Sequence, residues 1–162
     1  MSRAFILTVI ISGLIGFVAG NAFWYLASPL WIDNIVNETL ADADKASKIA
    51  TGQFKDADSI HKGSGTAQLI RTQGGSHVIR FTNFKSTNGP DLKVYLVETD
   101  KIEQSADVTE SKWISLGPLK GNIGDQNYTL PQDTDPKDYG SVVIWCEQFG
   151  VLFSSARLSP TS

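Results

Sequence analysis

Apolar positions fall into two regimes along this chain. Ala4 to Ile32 is a predominantly apolar run, with no charged residue between Arg3 and Asp33. From Gly52 onward, short alternating or apolar runs are separated by Gly, Asn, Asp, Ser and Pro, the pattern of an all-β domain. The runs predict strands at Gly65–Arg71, His77–Asn83, Leu92–Glu98, Lys112–Leu116, Asn127–Leu130, Ser141–Cys146 and Val151–Ala156. Gln73-Gly74-Gly75-Ser76 predicts a hairpin turn between the first two. In Leu92–Val97, Leu92, Val94 and Leu96 share one face, and Lys93 and Tyr95 the other, so one side should be wet. Val142 to Cys146 is apolar on both faces and reads as a central strand. About seven short strands predict a single β-sandwich or barrel-like domain over residues 52–162, with no helical period after residue 51.

The N-terminal run sets the compartment. About 20 apolar residues in helix cross a bilayer, and residues 1–32 exceed that. Phe23, Trp24, Tyr25 and Trp31 gather at the far end as an interfacial belt would, and Arg3 lies on the near side. The expectation is a single-pass protein of the cell membrane, with its N-terminus cytoplasmic and its C-terminal domain extracytoplasmic. A cleaved signal peptide competes, because Gly20-Asn21-Ala22 resembles a small-x-small cleavage site. The apolar sequence past Ala22 favours the anchor.

Residues 33–51 form a polar, alanine-rich segment without Pro or Gly. Ile35, Thr39, Leu40 and Ala43 give a weak apolar stripe. The reading is a short helical stalk that acts as a spacer.

Charge excludes one class of partner. The net charge is −3, and it becomes −4 past residue 32 once Arg3 is set aside. Nucleic-acid backbones require clustered Lys and Arg, and the longest basic cluster here, Lys45 to Lys48, has Asp42 and Asp44 beside it. Cys146 is the only cysteine. It cannot form an internal disulfide, so the exported domain must be stable without one.

Candidate chemistry is correspondingly sparse. A redox or ligating Cys146 needs a thiolate, which Trp145 and Glu147 beside it disfavour. The competing role is a small buried apolar side chain. His61 stands in a polar loop, and His77 begins a strand on the face of Ile79 and Phe81. Haem takes Cys, His or Met as axial ligand, and the only Met is Met1. There is no Cys-x-x-Cys-His, so covalent c-type haem is excluded. A haem or metal site is not favoured, and the cofactor stays unassigned. Gly63-Ser64-Gly65 lacks the nucleophile-elbow and phosphate-loop patterns, and the residues point away from an enzyme. Asp91 after Gly89-Pro90 reads as a turn residue rather than a calcium ligand. Trp113, Trp145, Tyr95, Tyr128 and Tyr139 would line a groove for sugar or peptide, or fill a core.

An ordered set of motifs carries a family resemblance. It runs through Gly52-x-Phe54, His61-x-x-Ser64-Gly65, Phe81, Gly89-Pro90-Asp91-Leu92-x-Val94-Tyr95-Leu96, Leu116-Gly117-x-Leu119-Lys120-Gly121, Gly124-x-Gln126-x-Tyr128, and Val142-Val143-Ile144-Trp145-Cys146 with Phe149 and Phe153. From Thr51 to Leu158 the chain resembles the DM13 domain. That resemblance implies an all-β extracytoplasmic module that transfers electrons through its cysteine, as a bare thiol or as a ligand to a prosthetic group. In animals the module occurs beside DOMON domains, and this sequence has none. Cys146 and His61 stand at the matching positions, so the resemblance implies a redox thiol at Cys146 with His61 as its partner in any cofactor site. The partner expected is a redox or cell-envelope protein. The competing reading is a non-enzymatic cell-surface binding or structural module.

Overall fold

Twenty-five residues, Arg3–Ala27, form helix α1. At 1.5 Å per residue it is about 37 Å long, enough to cross a hydrocarbon layer of about 30 Å. Ser2 caps it, accepting from the Phe5 amide at 3.3 Å. Its large apolar side chains from Phe5 to Tyr25 are exposed, and by length and composition it could serve as a membrane anchor or a signal sequence. In this computed structural model, residues 2–28, 31–41 and 43–161 are described. Pro29 and Leu30 of the apolar run lie outside them. The chain divides into two units, Met1–Ile32 and Asp33–Ser162.

The second unit is mostly sheet. Its strands are β1 (Ser47–Asp56), β2 (Gly63–Arg71), β3 (His77–Ser86), β4 (Leu92–Val97), β5 (Trp113–Pro118), β6 (Gln126–Thr129), β7 (Ser141–Cys146), β8 (Val151–Arg157) and β9 (Ser159–Pro160). The order is β5-β4-β7-β8-β1-β2-β3-β6, with β9 also paired to β1. Every pairing is antiparallel. The two ends of this path approach each other where the Lys120 amide, just past β5, donates to the Tyr128 hydroxyl of β6 at 3.0 Å. The sheet thus curls into a nearly closed barrel. All seven expected strands are present, and β1 and β9 are additional. Gly75 turns the β2–β3 hairpin at φ +83°, which favours glycine.

The barrel interior collects one face of each strand. Leu92, Val94 and Leu96 of β4 meet Val142, Ile144 and Cys146 of β7 there. Phe54, Phe81 and Phe84 pack edge to face or tilted at 4.9 to 5.0 Å between ring centres. The opposite face of β4 is not wet, as expected from its sequence, but covered. Tyr95 and Val97 join Val143, Trp145 and Leu152 in a second core. Ile102 and Val108 close it from the segment between β4 and β5, where a five-residue helix α2 (Ser105–Thr109) lies. That helix is too short to show a period in sequence. It explains why β7 is apolar on both sides: each side faces a core.

Residues 33–51 are not a helical stalk. Residues 33–40 hold no helix, Ala43–Lys45 make a single 3-10 turn, and residues 47–51 open β1. Ile35 bridges to Ile123 in parallel, and the Val36 and Glu38 amides donate to the Ile123 and Asp125 carbonyls. Backbone groups used this way are lost to a helix. Gly124 makes the approach feasible, because a Cβ there would lie 2.1 Å from the Val36 carbonyl oxygen. Arg80 of β3 fastens the strap. Its guanidinium donates to the Glu38 carbonyl at 3.0 Å and to Asp125 at 2.7 Å. Glu38 in turn receives Lys120 Nζ at 2.8 Å and the Asn127 amide at 2.8 Å. Burial alone would raise the Glu38 carboxyl, but these donors together hold it below its usual range.

Candidate functional site

Cys146 is the last residue of β7, facing Leu92 of β4 on one side and Val151 of β8 on the other. Parity with Val142 and Ile144 turns its side chain into the barrel interior. It is 1% exposed. Its Sγ donates to the Pro90 carbonyl at 3.1 Å. Pro90 belongs to the turn between β3 and β4, so the thiol is roofed by a turn and not by another strand. Asp91 completes that turn at φ +50°, the conformation Asp tolerates better than most residues. This is the turn role expected for Asp91. It also pairs with Lys93 at 2.7 Å.

The neighbours in sequence sit differently from what adjacency suggests. Trp145 points away from the thiol, into the second core. Glu147 pairs with Lys93 at 3.6 Å, and its amide donates to the Asp91 carbonyl. The like charge expected to oppose a thiolate is therefore engaged by a cation. Phe149 is 66% exposed and does not cover Cys146.

His61 comes to the same end of the barrel through the loop between β1 and β2. Asp58 builds that loop. Its Oδ1 accepts from the Ile60 and His61 amides, each at 2.7 Å, and its Oδ2 lies 2.7 Å from His61 Nδ1. The His61 amide and ring, with the Ile60 amide, hold the Asp58 carboxyl down to about 2. The imidazole lies against Phe153, with ring centres 4.3 Å apart. Phe153 sits where the β7–β8 register shifts, between the pairs Ile144–Ser154 and Trp145–Leu152. That bulge places its ring in the interior cluster that also holds Cys146. Thus Cys146 and His61 approach one hydrophobic end, with Phe153 as the ring that both the cluster and the imidazole touch.

The thiol is enclosed and directed at the Pro90 carbonyl, which closes it to a prosthetic group in this conformation. His61 Nδ1 faces Asp58, the arrangement that orients an imidazole and leaves Nε2 as its ligating nitrogen. Among the described residues, no group of three or more His, Cys, Asp and Glu could hold a metal ion.

The aromatic residues do not line a single groove. Trp113, 45% exposed, stacks on Tyr95 at 4.4 Å and 6° on the outside of β5 and β4. Trp145 lies 6.4 Å beyond Tyr95. Tyr128 is a core residue whose hydroxyl donates to Gln126 Oε1 at 2.7 Å. Tyr139 packs against the interior cluster.

With this geometry in hand, comparison with known proteins gives one positive result. The model of the family described as "Electron transfer DM13" matches residues 53–158, more than half of the chain. The chain belongs to the DM13 family. Neither the search of curated proteins nor that of solved structures found a match. The DM13 match is consistent with a redox module in the broad sense. It begins inside β1 and ends just before β9, so it spans both strands flanking Cys146.

The sequence placed Pro90 and Phe153 in the family motifs without a role at the site, and did not single out Asp58. Asp58-x-x-His61 was the one local signal, since Asp commonly bonds backbone amides two and three residues ahead. The contacts of Pro90 with Cys146 and of Phe153 with His61 join distant segments that no spacing rule connects.

Proposed function

We propose that this DM13 protein is an exported, membrane-anchored electron-transfer accessory in which Cys146 is the redox thiol and His61 its neighbour at the reacting end. The observation that carries the reading is the roof over Cys146. A turn held by the thiol hydrogen bond, the Glu147 amide on the Asp91 carbonyl and the Asp91–Lys93–Glu147 charges covers the sulfur, and local opening of such a turn costs less than global unfolding.

The chemistry follows from there being one cysteine. With the turn open, the Cys146 thiolate attacks one sulfur of a disulfide in a redox partner of the cell envelope. The partner's S–S bond breaks, a mixed disulfide forms, and the released sulfur takes a proton. A second thiol of the partner system then attacks the mixed disulfide and restores Cys146. Helix α1 supports the anchored location by its length and composition.

The test is labelling of the full chain in nanodiscs with a small disulfide reagent. Modification of Cys146 in folded protein, faster than unfolding and accelerated by Pro90→Gly, supports the reading. Modification only on unfolding rejects it.

A second reading has its own observation. Trp113 presents an exposed ring stacked on Tyr95, a surface suited to a sugar or peptide. Trp113→Ala would abolish binding to a glycan or peptide array under this reading, and Cys146→Ser would leave it intact. No such binding, or binding indifferent to Trp113, would reject it.

A further inference from the structure

The barrel has a second mouth, at the end away from Cys146. Strands β2 and β3 reach it in the cross-strand pair Arg71–His77. Ala67 and Leu69 face the interior on β2, as do Ile79 and Phe81 on β3. The two-residue period carries Arg71 and His77 onto that same interior side. The hydrophobic pattern therefore ends in two basic side chains at the rim. Below them opens a cleft of about 580 Å³, floored by Ala50, Leu69, Tyr139 and Leu158. Lys137, from the turn before β7, stands on the same wall.

Charge in the cleft is unbalanced. Among the described residues, the side chains of Arg71, His77 and Lys137 make no hydrogen bond or ion pair. Asp135 is the one carboxylate in the lining, and its Oδ1 already accepts from the Lys137 amide at 3.0 Å. An apolar floor beneath unpaired cations is complementary to one ligand chemistry, an apolar body with an anionic head.

We propose that this mouth binds an amphiphilic monocarboxylate. Its chain lies on Leu69 and Leu158, and its carboxylate meets the Arg71 guanidinium and Lys137. Asp135 on the rim selects a single negative charge over a dianion. The site is separate from Cys146, and the proposal stands whether or not Cys146 is redox-active.

Calorimetry with octanoate on the full chain in phosphatidylcholine nanodiscs, with empty nanodiscs as blank, tests it. Octanoate is expected to bind once per chain, about tenfold tighter than octanamide, which lacks the charge. Arg71→Gln and Lys137→Gln, both surface changes, should each weaken octanoate while leaving octanamide unchanged. Absence of saturable octanoate binding overturns the proposal. So does equal affinity for octanoate and octanamide, or binding indifferent to both substitutions.

Discussion

The Cys146 thiol donates to the carbonyl of Pro90 at 3.1 Å, across 56 residues of sequence. Strand β7 delivers the sulfur to the barrel end, and the β3–β4 turn closes over it. Reactivity of the thiol is therefore tied to the stability of that turn. Lys93→Ala removes the cation between Asp91 and Glu147. It should speed thiol labelling several-fold with a smaller effect on global stability, because Lys93 is half-buried but both carboxylates it pairs with are exposed, and ion pairs open to water contribute about 1 kcal/mol or less. Labelling rates measured beside a denaturant melt check this.

The strap offers a second test. Arg80 is 15% exposed and donates to Glu38, Asn127 and Asp125. Arg80→Ala should cost about 2 kcal/mol, since bonds to charged groups are worth about 1.5–3 kcal/mol each but water replaces part of them here. Residues 33–46 should then become sensitive to limited proteolysis before the barrel does. A melt and a proteolysis time course read both effects.

Acid should act on the His61 loop. Asp58 is held at about 2, below its usual 3.8. The unfolded chain therefore binds more protons across that interval, and the stabilisation is fully present above about pH 4. It is lost as pH falls through about 2. Asp56 is lowered in the same direction, first by the Gly63 amide. Amide chemical shifts of Ile60 and His61 should titrate near pH 2, and this titration should vanish in Asp58→Asn. A midpoint at the ordinary value of Asp would contradict the loop geometry.

The interior sets overall stability. Ile144 is fully buried between β4 and β8. Ile144→Ala should cost about 2–5 kcal/mol through lost burial and the cavity left behind. Ile60→Ala, at an exposed position, should cost little. Urea melts of the two variants make the comparison.

How much of this was legible depends on whether a contact is local. Alternation in Leu92–Val97 and the double apolar face of Val142–Cys146 showed two neighbouring strands of the sheet. The same alternation misjudged Tyr95, whose polar hydroxyl suggested water, because the cover comes from Ile102 and Val108 in another segment. Ser47–Thr51 looked helical for want of Gly or Pro. Its strand state comes from pairing with Gln68–Arg71 and with β9, which local propensity does not contain. Cys146 and His61 were found as residue types, and the resemblance placed them together. Their surroundings were not legible, since Pro90, Phe153 and Asp58 act through tertiary contacts or turn geometry.

The most direct test of the redox reading is the rate at which Cys146 of the full chain forms a mixed disulfide with glutathione disulfide, followed by intact mass in nanodiscs. The account expects one glutathione adduct per chain. It should form faster than the protein unfolds, revert on addition of a dithiol, and be absent in Cys146→Ser. A folded chain that stays unmodified until it unfolds would contradict it.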